Sequence, residues 1–83
     1  DERATAEALK ANTEEALTNF LQRYPTAMQA PQIQQRLNAV AFDNAKSANT
    51  VDALREYIAR FPDSVFITQA KEKLEWLEAN GQN

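Results

Sequence analysis

Apolar side chains recur at three- and four-residue intervals in four stretches, the spacing of one face of an α-helix. Ala16, Leu17, Phe20, Leu21 and Tyr24 predict a short helix over roughly 13–24. Ala53, Leu54, Tyr57, Ile58 and Phe61 predict a second over roughly 50–61. A longer helix is predicted after each. One runs over roughly 28–47, with Ile33, Leu37, Val40, Ala41 and Ala45 on one stripe. The other runs over roughly 64–79, with Ile67, Ala70, Leu74 and Leu77. An Ala-rich segment over roughly 2–11 reads as the remnant of a preceding helix. Connections of two to five residues leave neighbouring helices antiparallel or nearly so.

The stretches repeat. With a shift of 37, Asn12-Thr13 lies over Asn49-Thr50, Ala16-Leu17 over Ala53-Leu54, and Arg23-Tyr24-Pro25 over Arg60-Phe61-Pro62. Gln32 then falls on Gln69 and Leu37 on Leu74. Self-similarity at this period marks a stacked-repeat architecture. The expected fold is therefore all-α, a helix-hairpin solenoid of two repeats with about five helices. Residues 1–83 form a single domain, with repeat 1 over about 11–47 and repeat 2 over about 48–80.

Local signals agree with these boundaries. Asn12 and Asn49 are N-cap candidates, and Glu15 and Asp52 stand three residues on, as in a capping box. Arg23 and Arg60 suit the negative ends of the short helices, and Pro25 and Pro62 stop them. Pro31 is tolerated in a first turn, where amides lack helical partners. Asp63 or Ser64 is expected to cap the last helix, and Asn80-Gly81 to end it.

Composition narrows the function. The chain has no cysteine and no histidine, and its net charge is −3. No basic stripe exists to displace counterions, so nucleic acid is not an expected partner. No apolar run approaches the ~20 residues of a membrane span, so no insertion is expected. Acid–base and nucleophilic catalysis usually recruit His, Cys, or Ser and Lys beside a base. The single glycine, Gly81, rules out a glycine-rich phosphate loop. Glu14-Glu15 reads as dipole stabilisation at a helix start. Glu72, Glu75 and Glu78 drift round their helix among Lys71 and Lys73, as a solvated face does. No enzyme activity, cofactor or metal is expected.

The repeated strings are NTEEALTNFLQRYPTAMQAPQIQQRL and NTVDALREYIARFPDSVFITQAKEKL. They resemble the tetratricopeptide-like helical repeats of bacterial envelope proteins, such as those of the Tol–Pal periplasmic partner and the outer-membrane assembly lipoprotein. The aromatic-Pro step, FPDS at 61–64 and YPTA at 24–27, is the most specific part of the likeness. The period departs from the usual ~34 residues, and the Trp and Gly-Tyr of the usual first helix are missing at the matching places. The resemblance implies a scaffold for protein binding in the periplasm or cell envelope, with no residue-level binding rule.

The chain is accordingly read as a protein-interaction or assembly module, part of a larger bacterial protein. Its partner would be another protein or a domain of the parent chain. A homodimerisation module and a passive spacer are the alternatives. Trp76 stands off the apolar stripe of its helix, near Val65, Gln69 and Glu72, and lies over Ala39 in the first repeat. It is either a lid on the domain's own core or, with Val65, a docking patch. Met28, aligned with Val65, is either core or patch, and Phe42 is expected to pack between the repeats. Asn19 and Gln22, with Arg55 in the second repeat, either line a concave surface or form a solvated face.

Overall fold

A computed structural model of the chain describes residues 2–81. It is all-helical: α1 (Glu2–Ala11), α2 (Glu14–Arg23), α3 (Ala30–Ala48), α4 (Val51–Arg60) and α5 (Ile67–Ala79). Apolar spacing located four of these, and the Ala-rich segment expected as a helix remnant is α1. The chain divides into two compact units, residues 1–40 and 41–83, and α3 runs through the division. The first unit holds α1, α2 and the first part of α3; the second holds the rest of α3, α4 and α5.

In the first unit, Thr5 and Ala8 of α1, Leu17 and Phe20 of α2, and Ile33 and Leu37 of α3 are buried. In the second, the buried set is Ala41, Phe42 and Ala45 of α3, Val51, Leu54 and Tyr57 of α4, Phe61 and Ser64 of the following turn, and Ala70 and Leu77 of α5. Leu17 and Leu54, equivalent in the repeat, are both fully shut off from solvent.

The hydrogen bonds outside the helices are duplicated as well. Tyr24 and Phe61 donate their amides to Phe20 and Tyr57. Ala27 and Ser64 donate to Tyr24 and Phe61, and Ala30 and Ile67 to Ala27 and Ser64. Both short helices thus end in the same proline turn. Tyr24 and Phe61 sit at φ −131, ψ 58 and φ −129, ψ 57, outside the helical region, as expected before proline. The successive short-range bonds delay the long helices, so α3 and α5 begin at Ala30 and Ile67, two to three residues later than their spacing predicts.

The asparagine–threonine pairs divide their work differently from the sequence expectation. Asn12 and Asn49 are not N-caps. They adopt left-handed φ of 54 and 57. Their amides close on Ala8 and Ala45 carbonyls at 3.0 Å, which ends α1 and α3. Asparagine tolerates this region better than other side chains do. The caps are Thr13 and Thr50, whose hydroxyls accept from the Ala16 and Ala53 amides at 3.1 Å. Alanine stands where a capping box needs Glu or Gln, so Glu15 and Asp52 serve only as acidic residues of the first turn.

Two exchanges shift core volume between the units. The position held by Thr5 in the first is held by Phe42 in the second, and Ile33 is replaced by Ala70. The most extensive helix–helix approaches among the described residues are α1 with α2 and α4 with α5. Phe42 fills the second unit from the α3 side, stacking on Phe66 at 5.0 Å and meeting Tyr57 at 5.4 Å.

Candidate docking surface

The last turn of α5 and the turn that precedes the helix carry the most exposed apolar groups of the second unit. Gln69, Glu72 and Trp76 are all exposed and lie on one helical face. Val65, in the turn that leads into α5, is 83% exposed, and Trp76 is 55% exposed. The Trp76 indole therefore does not close over the unit as a lid. The Lys73 ammonium lies 5.4 Å from the centre of its ring, a cation–π contact within the helix.

Two further contacts hold this end of the helix. The Asn80 side-chain amide donates to the Trp76 carbonyl at 2.8 Å, and the Asn80 backbone amide reaches the same oxygen at 3.0 Å. Arg55, on α4, is exposed and donates to Glu78 on α5 at 2.6 Å. Arg55 thus has an intrachain partner that ties the two helices together. An ion pair as exposed as this one contributes ~0–1 kcal/mol.

The remaining sequence candidates lie in the first unit. Asn19 and Gln22 are exposed on α2. Asn19 borders an open cleft of about 270 Å³ between α1 and α2, whose lining includes Ala4, Ala8, Ala16, Phe20 and Tyr24. Gln22 lies outside that lining.

Met28 is 91% exposed, which places it on the surface and not in the core. Its repeat equivalent is Val65, so the two units present an apolar residue at the same point of the same turn. The signal was present in the aligned strings. Both positions are apolar, yet both fall outside the buried stripe of the helix that follows.

The buried polar groups of the second unit are engaged in structure. The Tyr57 hydroxyl and Ser64 Oγ lie 2.6 Å apart, and Ser64 Oγ accepts the Phe66 amide at 2.9 Å. Ser64 therefore caps the turn before α5 and not the first turn of the helix itself. Burial pushes the Tyr57 phenol above its ordinary value, while the bond to Ser64 pulls it the other way. Among the described residues, no cluster of three His, Cys, Asp or Glu could hold a metal, and no helix is long and apolar enough to cross a membrane.

Comparison with protein-family models, curated proteins and solved structures yields no match to this chain.

Proposed function

We propose that this chain is a non-catalytic protein-docking module, built as two tetratricopeptide-like repeats stacked as a solenoid within a larger bacterial envelope protein. The observation that carries the docking reading is the exposed Trp76 on the same face of α5 as Gln69 and Glu72. A large aromatic left in water presents apolar surface that a partner would cover. Tryptophan is also over-represented among the residues that dominate interface energies. Gln69 and Glu72 between them supply polar contacts that would fix register. The duplicated turns and caps support the repeat reading.

The partner is another protein or a domain of the parent chain. Capture of partners from soluble and envelope fractions, with wild type and Trp76→Ala compared, tests the reading. A protein retained by wild type and lost from the variant supports it. Equal retention by both contradicts it. Sedimentation separates the self-association alternative: a concentration-independent monomer leaves Trp76 available to a different protein.

A further inference from the structure

The chain's single glycine, Gly81, follows Asn80. The asparagines at 12, 19, 38, 44 and 49 are followed instead by Thr, Phe, Ala, Ala and Thr. Asn80 is the exposed C-cap of α5, at φ −101, ψ 12. The Gly81 amide reaches the Glu78 carbonyl only at 3.4 Å, at the long limit of a hydrogen bond. A Cβ at Gly81 would meet nothing within 4 Å, so this backbone is open on its side-chain side as well. No other described asparagine combines an unbranched, unshielded neighbour with a helix end.

We propose that Asn80 is a site of spontaneous covalent modification, converting to aspartate and isoaspartate through a cyclic imide formed with Gly81. The Gly81 backbone nitrogen attacks Asn80 Cγ. The N–Cγ bond forms and the Cγ–Nδ2 bond breaks. Nδ2 leaves as ammonia, taking the proton lost by the Gly81 amide. Water then opens the imide. Addition at Cγ restores the backbone and yields aspartate; addition at the main-chain carbonyl yields isoaspartate, with the chain running through Cγ. Net, one water is consumed and one ammonia released.

At ψ 12 the Gly81 nitrogen is turned away from Cγ, so ring closure needs rotation about the Asn80 Cα–C bond. That rotation breaks only the bonds of the last turn, and helix ends open at a cost near zero. The product has three effects of one sign. A carboxylate cannot donate to the Trp76 carbonyl as the Asn80 amide does. It places negative charge at the negative end of the helix dipole. It also adds to the charge of Glu78 two residues away. The turn behind Trp76 loosens. The inference holds whether or not Trp76 binds a partner.

The test is incubation of the folded chain at mildly alkaline pH, followed by peptide mapping with mass spectrometry and chromatographic separation of the isoaspartyl form. Asn80 is expected to convert ahead of every other described asparagine, and within roughly tenfold of its rate in denaturant, because the last turn opens so readily. Asn80→Gln is expected to remain unconverted. Asn80→Asp is expected to speed amide exchange over residues 77–80. Conversion of Asn80 no faster than Asn12 or Asn49, or protection by folding beyond that tenfold range, overturns the modification. Unchanged exchange in Asn80→Asp overturns its structural consequence.

Discussion

The hydroxyl of Tyr57 and Oγ of Ser64 lie 2.6 Å apart in the buried part of the second unit, and their equivalents in the first unit are Phe20 and Ala27. Both hydroxyls are present in one repeat and both are absent from the other. A buried hydroxyl needs a partner, so the two are kept or lost together. Ser64→Ala removes the acceptor of the Phe66 amide and the partner of Tyr57, and is expected to cost about 1–3 kcal/mol. The double variant Tyr57→Phe, Ser64→Ala restores the arrangement of the first unit. Denaturant unfolding of the four members of this cycle is expected to show a coupling of about 0.5–3 kcal/mol, with the double variant milder than the sum of its parts. Simple additivity would show that the pair does not act as a unit.

The same phenol gives a pH dependence. The folded state holds Tyr57 above its ordinary 10.0 because burial disfavours the phenolate. Its contribution to stability is whole below pH 10.0 and is lost as pH rises through the higher folded value. Melting of wild type and Tyr57→Phe across the alkaline range measures it. Wild type is expected to lose more stability than the variant above pH 10, and parallel curves would remove Tyr57 as the cause.

The boundary residues are separable by substitution. Thr50→Ala removes the acceptor of the Ala53 amide and is expected to cost about 1 kcal/mol. Asn49→Ala forces a β-carbon into left-handed backbone, at about 1–2 kcal/mol relative to Asn49→Gly. Equal stability of Asn49→Ala and Asn49→Gly would contradict the left-handed assignment. The corresponding changes at Thr13 and Asn12 are expected to behave alike.

Core volume is divided differently in the two units, and this too is measurable. Ala70 is fully buried where the first unit carries Ile33. Ala70→Ile is expected to overpack the α4–α5 contact and cost about 1–3 kcal/mol. Leu54→Ala, at a fully buried site, is expected to cost about 2–5 kcal/mol. A stabilising Ala70→Ile would show that the units tolerate exchange of parts.

Much of the fold was legible because its signals are local. Apolar spacing, Pro25, Pro62 and the Asn80-Gly81 stop each act within a few residues, so they place helices without knowledge of packing. The Asn-Thr pairs were misassigned because both residue types cap helices. Only the backbone shows that α1 and α3 end where α2 and α4 begin, with one residue for each task. The exposed face of α5 was partly legible. Trp76 and Val65 stood off the buried stripe, but the pairing of Arg55 with Glu78 joins two helices distant in sequence and leaves no periodic trace. Phe42, Tyr57 and Phe66 are likewise drawn together from three elements; the expected packing role of Phe42 was legible, but its partners were not.

The affinity of Trp76→Ala for the protein captured by wild type tests the central claim most directly, with thermal melting of both as the control for folding. The account predicts a loss of at least about 2 kcal/mol, roughly thirtyfold in Kd, at an unchanged melting temperature. Equal affinity at equal stability would contradict it.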